Sequence, residues 1–197
     1  MARPRLHDEE LRLRLIDRAA RTVASDGIGA LSLRNLAATE KTSTTAIYSL
    51  FGGRSELIGA VFDRATVSFA ESQDAAETTA DPLADLLALA HAYRDWAEAN
   101  PHLFGVIFGG LLTGFTPTEE QLTACFAAMG PLTDAVRRGL AAGVLEGHAD
   151  AIALACWAAV HGLVTLAMGG PALQVGDGAF DQLMRATLRG WAPRAGA

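Results

Sequence analysis

The stretch from residue 31 to 57 constrains the fold of this chain more than any other segment. Ser32 and Ser43 stand where helix N-caps are expected, and the polar residues 40–42 separate the two short helices that they would begin. When the second helix, residues 44–51, is laid out at 100° per residue, hydroxyl side chains occupy one half of the circle and apolar side chains the other. The pattern predicts a short helix that packs by one face and presents hydroxyl groups on the other.

The hydroxyl face suits a helix that lies in a groove of DNA. Thr and Ser can bond to base edges or phosphates, the Thr methyl group can meet a thymine methyl, and Tyr can reach a phosphate. Lys41 and Arg54 add cations, the second at a helix N-terminus where an anion would also be favoured. We therefore expect the DNA-binding residues to be Arg34, Lys41, Ser43, Thr44, Thr45, Tyr48, Ser49 and Arg54.

This part of the chain resembles the N-terminal helix-turn-helix domain of the TetR family of transcriptional regulators. The matching residues are Leu31-Ser32-Leu33-Arg34, Leu36-Ala37, Ser43, Ile47-Tyr48, Phe51, Arg54 and Glu56-Leu57. Two positions depart from the family. Lys41 stands at the turn where the family usually has glycine, so a left-handed backbone there would be strained. Gly53 stands at the cap of the next helix, where the family commonly has Ser or Asn.

A second resemblance lies in the C-terminal part. Trp157, His161 and Gly162 are similar to the Trp-His-Gly signature of one class of TetR-type C-terminal domains. The resemblance implies a dimer in which the last two helices of each subunit form a four-helix interface. The residues expected at this interface are Ala155, Ala159, Gly162, Phe180, Leu183, Met184 and Leu188.

Charge is unevenly distributed along the chain. The net charge of the 197 residues is −6, yet residues 1–64 hold 10 Lys and Arg against 8 Asp and Glu. The positive excess is small, but it coincides with the predicted DNA-binding helices. The two cysteines, Cys125 and Cys156, show neither metal-site spacing nor a disulfide framework, and residues 1–10 contain no apolar stretch that would form a signal peptide. We expect a protein of the reducing cytoplasm.

The periodicity predicts an all-α fold of about nine helices. Residues 1–53 form the predicted three-helix DNA-binding domain, and residues 54–197 a larger effector-binding and dimerisation domain that helix 4, about 54–77, connects to it. Residues 102–115 are uncharged and predict a buried helix, and residues 118–146 predict one long helix kinked at Pro131.

The run from Ala151 to Gly170 has no formal charge and is long enough to span a membrane. It is built from Ala and Gly rather than Leu and Ile, it contains His161, and no Lys or Arg cluster flanks it. We therefore expect a buried helix and no membrane association, with a partner subunit covering one face.

The larger domain is expected to hold a pocket for a small, hydrophobic or aromatic effector. Aromatic and sulfur-bearing residues of the middle helices, with one polar group, are the expected lining: Trp96, Phe104, Phe108, Phe126, Met129, Trp157 and His161. Each of these, taken singly, fits core packing as well.

Together these patterns favour a homodimeric repressor that an effector releases from a palindromic double-stranded operator. An activator, a thiol redox sensor and an all-helical small-molecule enzyme are the alternatives. The sequence contains no nucleophile–base spacing, no metal pair and no glycine-rich phosphate loop, so we expect no catalytic site, no metal and no cofactor.

Overall fold

The computed structural model describes residues 5–169 and 176–193, with side chains from Asp8 onward. Within these residues every regular element is helical, as predicted. A 3₁₀ turn at Ile28–Ala30 separates the first two of ten α-helices: α1 Arg5–Asp26, α2 Leu33–Thr39, α3 Thr44–Phe51, α4 Arg54–Asp74, α5 Pro82–Ala99, α6 Pro101–Ile107, α7 Glu119–Ala127, α8 Gly130–Ala141, α9 Ala149–Met168 and α10 Asp177–Arg189.

The helices form two compact units. Of the described residues, 5–68 and 100–125 belong to the first unit, and 69–99, 126–169 and 176–193 to the second. Helices α4 and α7 therefore contribute residues to both units. The units differ from the predicted division at residue 53, because α6 packs on α1 and so brings residues 100–125 into the first unit.

The core of the first unit joins α1 to the two short helices that follow it. Leu15 and Ile16 of α1, Leu36 of α2, Ile47 of α3 and Leu57 of α4 are all buried. Each such side chain contributes about 1.5–3 kcal/mol by leaving water. Ser32 caps α2 by accepting a hydrogen bond from the Asn35 amide at 3.4 Å, which confirms the predicted start of that helix.

Three polar contacts, made by the side chains of His102 and Gln121, hold the later segment of the first unit in place. His102 Nε2 of α6 lies 3.5 Å from Asp17 Oδ1 of α1. Burial lowers the pKa of His102, so the imidazole is held in its neutral form. Gln121 Nε2 of α7 donates to Asp63 Oδ1 at 2.8 Å and to the Gly59 carbonyl at 3.2 Å.

In the second unit, α5, α8, α9 and α10 pack around one apolar core. Its buried residues are Leu86, Leu89, Ala135, Val136, Leu145, Ile152, Cys156 and Leu188. A polar cluster lies beside this core, where Asp85 is only 2% exposed. Asp85 Oδ1 accepts hydrogen bonds from the Thr79 amide and hydroxyl at 2.9 and 2.7 Å, and Arg138 Nη1 lies 2.7 Å from Asp85 Oδ2. The cluster ties the segment after α4 to α5 and α8.

Two predicted helices are wrong in extent. Residues 118–146 form two helices, and Pro131 lies in the first turn of α8 instead of kinking a continuous helix. Proline fits there because the first amides of a helix need no partner within it. The predicted helix at 102–115 ends at Ile107, and Gly110 and Gly114 beyond it have positive φ angles of 64° and 83°.

Candidate functional site

Helix α3 has the two-sided character that its sequence predicts. Ile47 is fully buried, whereas Thr44, Thr45, Tyr48 and Ser49 are exposed. Tyr48 is 56% exposed although it is aromatic, so more than half of its surface is open to solvent. Ser43 caps the helix by accepting a hydrogen bond from the Ala46 amide at 3.1 Å, and this confirms the second predicted cap.

The turn before α3 is tight. The Thr42 amide donates to the Ala37 carbonyl at 2.9 Å, which closes α2. Lys41 has φ of 51° and is the only non-glycine residue with a positive φ in the part of the chain that the structure describes. The predicted strained turn is confirmed, since a side chain with a Cβ atom is disfavoured in the left-handed region. The family's usual glycine would avoid this strain.

Cations on α1 hold the turn in place. Glu40, whose side chain is 12% exposed, lies 3.0 Å from Arg18 Nε and 3.5 Å from Arg14 Nε. The Arg12 guanidinium lies over the Phe51 ring at 5.5 Å from its centroid. Sequence reasoning missed these contacts, because positions 22 to 39 residues apart carry no pattern that pairs them. Three cations of the basic N-terminal region therefore position α3 within the first unit.

Arg54 has a different partner from the predicted phosphate. Its Nε donates to the Leu31 carbonyl at 2.9 Å, and its Nη2 donates to the Ile28 carbonyl. The guanidinium therefore joins the start of α4 to the 3₁₀ turn that leads into α2. Two of its five N–H donors are directed at backbone carbonyls, so the predicted phosphate contact would have to use the others, and it stays a prediction.

Arg34 on α2 and Lys41 in the turn before α3 are exposed cations. Both are exposed, and neither has an ion pair among the residues that the structure describes. With the hydroxyl face of α3, they make up what we call the reading surface: Arg34, Lys41, Ser43, Thr44, Thr45, Tyr48 and Ser49. Cations flanking a row of hydroxyl groups can bond to phosphates while the hydroxyl groups meet base edges.

The second unit contains a small apolar cavity between α5, α8, α9 and α10. Its lining includes Leu86, Leu89, Ala90, Tyr93, Met129, Leu132, Cys156, Trp157, Val160 and Met184, together with Gln73. The centre of a water-sized sphere can occupy about 20 Å³ of it, which is room for roughly one water. A larger molecule would require the cavity to open.

Only part of the predicted effector lining reaches this cavity. Met129 and Trp157 line it, whereas Trp96, Phe104, Phe108 and Phe126 do not. Trp96 packs against the Phe69 ring at a centroid distance of 5.0 Å, and Phe126 is 73% exposed. Phe104 and Phe108 pack against each other within the first unit. The aromatic character of these residues could not show which of them face one cavity.

The predicted His161 does not line the cavity, but it contacts two residues that do. Its Nδ1 lies 2.8 Å from the Tyr93 hydroxyl, and its ring contacts Trp157 at a centroid distance of 5.8 Å. Burial lowers the pKa of His161, so the neutral imidazole is favoured. His161 therefore orients Tyr93, whose ring does line the cavity.

Comparison with known proteins identifies the family. A model of the tetracyclin repressor-like C-terminal domain matches residues 86–190, more than half of the chain. The chain belongs to the TetR family. It is 27% identical over 139 residues to the HTH-type transcriptional regulator Mb1846 of Mycobacterium bovis, an alignment that covers 68% of the chain but only 59% of that relative.

Solved structures share the fold over nearly the whole length. A protein of unknown function from Rhodococcus sp. RHA1 is 32% identical, with a TM-score of 0.74, and the match covers 93% of this chain and 96% of that one. A TetR family transcription regulator from Marinobacter aquaeolei VT8 has a TM-score of 0.80 at 18% identity, covering 97% of this chain and 100% of that one. At that identity the second likeness concerns the fold alone.

In this TetR-family chain, the predicted dimer residues of α10 need correction. Phe180 and Met184 are each 1% exposed and Leu188 is 5% exposed, so they pack inside the single chain. A side chain without accessible surface cannot contact a second subunit. Leu183, at 42% exposure, is the one predicted residue of α10 that lies open.

Helix α9 has far more open apolar surface than a core helix. It is long and apolar enough to cross a membrane, yet only 22% of its most apolar 18-residue window is buried. Leu154 and Leu166 are 58% and 61% exposed. The predicted Ala155, Ala159 and Gly162 are half-buried beside them. Apolar surface of this extent is typical of an interface.

The cysteines of this TetR-family chain lie in protected positions. Burial raises the pKa of Cys156 to about 11 and also raises that of Cys125. Both thiols are therefore protonated at neutral pH, which disfavours reaction with oxidants.

Proposed function

We propose that this chain is a dimeric, DNA-binding transcriptional regulator of the cytoplasm. In this proposal it is a repressor that a small, largely apolar effector releases from a palindromic operator. The observation that carries the proposal is the reading surface: an exposed hydroxyl face on α3, opposite the buried Ile47 and flanked by two cations without ion pairs. Apart from the Ser43 cap, no hydrogen bond or ion pair among the described residues uses these side chains, so they are available to a ligand outside the chain.

Specific binding to a palindromic operator requires two copies of helix α3, one from each subunit of a dimer. One short helix contacts too few base pairs for specific binding, and a two-fold dimer reads half-sites about 34 Å or a multiple apart. The open apolar surface of α9, with Leu183 of α10, supplies the proposed dimer interface. Leu154, Ala158, Leu166 and Leu183 are its exposed members.

The effector acts in this proposal by shifting a conformational equilibrium. A ligand that opens the apolar cavity favours the conformer with the larger cavity, and its influence on operator binding cannot exceed its differential affinity for the two conformers. Met129, Trp157 and, through Tyr93, His161 support the placement of the effector there.

The test is a binding titration with DNA from upstream of the chain's own gene and a scrambled duplex of equal length. Tyr48→Ala should abolish the preference for the first duplex with little change in the thermal midpoint, because the residue is 56% exposed. Phe126→Ala is the matched control, since it removes another exposed aromatic ring, and it should leave binding unchanged. Equal binding of wild type and Tyr48→Ala to both duplexes would contradict the reading surface.

The dimer is tested separately by sedimentation. Leu154→Glu should give a monomer, because it places a charge in an apolar interface, and operator affinity should fall with it. Leu122→Glu, which changes a comparably exposed leucine on α7, should remain dimeric. A dimeric Leu154→Glu variant would refute the α9 interface.

A further inference from the structure

The open face of α3 begins with two threonines. Thr44 and Thr45 are the first residues of the helix, and both are exposed. Their side chains make no hydrogen bond or ion pair among the residues that the structure describes. Each threonine therefore offers a hydroxyl group and a methyl group to a molecule outside the chain.

Helix α3 lacks the side chains that read guanine and adenine by paired hydrogen bonds. In the major groove, Arg or Lys reads guanine and Asn or Gln reads adenine in this way. The sequence of α3, TTAIYSLF, contains none of these four residue types. A threonine hydroxyl group can donate or accept a hydrogen bond, so it discriminates little between one base and another. The base selectivity of this helix therefore depends on contacts other than paired hydrogen bonds.

The cations of the reading surface lie outside α3. Arg34 belongs to α2, and Lys41 to the turn between the two helices. When a helix-turn-helix docks on DNA, its first helix crosses the phosphate backbone and the N-terminal residues of its second helix contact base edges. Phosphate contacts by Arg34 and Lys41 would position the protein without carrying sequence information directly. The residues at the base edges are then Thr44 and Thr45.

We propose that the chain recognises each operator half-site through the C5-methyl groups of two thymines, one against the methyl group of Thr44 and one against that of Thr45. Thymine is the base that presents a methyl group in the major groove, and threonine is one of the residues that make apolar contact with it. Such a contact removes both methyl groups from water. This inference rests on the proposed function and adds the base chemistry that α3 selects.

The size of the effect follows from the apolar surface of one methyl group. Removing such a group from water strengthens binding about four-fold. A two-fold dimer makes each contact twice, so the loss of one thymine methyl from both half-sites should lower affinity about 16-fold.

The test begins with selection of bound duplexes from a random library of about 30 base pairs, using the full-length protein. The enriched duplexes should contain two thymines in each half-site. Each thymine is then replaced symmetrically by deoxyuridine, which lacks only the methyl group. Replacement at a contacted position should lower affinity about 16-fold, and replacement at the other thymines should change it little. Where cytosine is placed at a contacted position, 5-methylcytosine should bind more tightly than cytosine.

Conservative variants assign each thymine to its threonine. Thr45→Ser removes the methyl group and keeps the hydroxyl group, whereas Thr45→Val does the reverse. In the serine variant, deoxyuridine at the partner position should cause no further loss, because the contact is already absent. In the valine variant, the loss of about 16-fold should persist. The same pair of variants at Thr44 assigns the other thymine, and Thr123→Ser, on α7 and exposed, should change nothing.

Two results would overturn the thymine contacts and leave the proposed regulator standing. One is a selected duplex in which deoxyuridine weakens binding at no position. The other is a deoxyuridine effect of equal size in the wild type, Thr44→Ser and Thr45→Ser, because the methyl group would then act through the shape of the DNA. Failure to enrich any duplex would overturn the regulator and the thymine contacts together.

Discussion

Replacing Arg54 by Ala separates a phosphate contact from a structural one. The side chain makes two hydrogen bonds from a charged donor to the carbonyls of Ile28 and Leu31. A bond of this kind contributes up to about 3 kcal/mol when protected, and partial exposure of Arg54 reduces the pair to about 2 kcal/mol together. For a chain of this length that loss lowers the thermal midpoint by roughly 4–8 °C.

The salt dependence of DNA binding supplies the second readout. Each phosphate that a cation neutralises adds about 0.9 to the slope of log K against log salt concentration. Because the Arg54 guanidinium is directed at the chain's own carbonyls, the slope for Arg54→Ala should equal that of the wild type. Amide exchange at residues 28–31 should be faster, since the turn loses its anchor.

Two further variants make the comparison decisive. Arg34→Ala removes an exposed cation without an ion pair in the described chain, so it should lower the slope by about 0.9 and leave the midpoint unchanged. Arg54→Lys keeps the charge but cannot reach two carbonyls with a planar fork, so it should recover little stability. An Arg54→Ala variant with wild-type stability and a slope reduced by about 0.9 would refute the structural role.

Three other substitutions and reactions test particular contacts. Lys41→Gly should raise the thermal midpoint by roughly 2–4 °C, because it relieves about 1 kcal/mol of left-handed strain; a lower midpoint would contradict the strain. Asp85→Asn should destabilise the fold by about 1–2 kcal/mol in denaturant unfolding, since it weakens the bonds from Thr79 and removes the ion pair with Arg138, whose side chain is 38% exposed. Burial opposes the ionised form of Asp85, but the hydrogen bonds from Thr79 and Arg138 outweigh it and hold the pKa below its ordinary 3.8. The difference from wild type should therefore persist above pH 3.8 and shrink as the pH falls through the lowered pKa. With its pKa of about 11, Cys156 is roughly 0.1% thiolate at pH 8 and should react with a disulfide reagent about 100-fold more slowly than in the unfolded chain; equal rates would restore the redox-sensor hypothesis.

Local signals were sufficient for the helix-turn-helix. The caps at Ser32 and Ser43 and the two faces of α3 depend on residues within one or two turns of each other. The end of α3 at Gly52, with φ of 94°, is equally local. These features are predictable because each depends on residues that are close together in the sequence.

Contacts between distant residues were not predictable from one sequence. An arginine at a helix start is equally suited to a phosphate and to a carbonyl, and only the fold places the Ile28–Ala30 turn beside Arg54. The same applies to Glu40, which the sequence presents as a polar turn residue and the structure pairs with two arginines of α1. Pro131 is compatible with a kink or with a helix start. It lies at a helix start because α7 ends at Ala127, before the proline is reached.

The apolar stripes of α9 and α10 show that sequence periodicity cannot identify the partner that covers a helix face. A stripe indicates that a face is covered, but it does not distinguish a neighbour in the same chain from a second copy. On α10 the stripe of Phe180, Met184 and Leu188 is covered by the chain itself. On α9 most of the apolar surface is uncovered, including Leu154. Since water contact with such a surface is unfavourable, its exposure in the single chain is the strongest physical reason to expect a second subunit there.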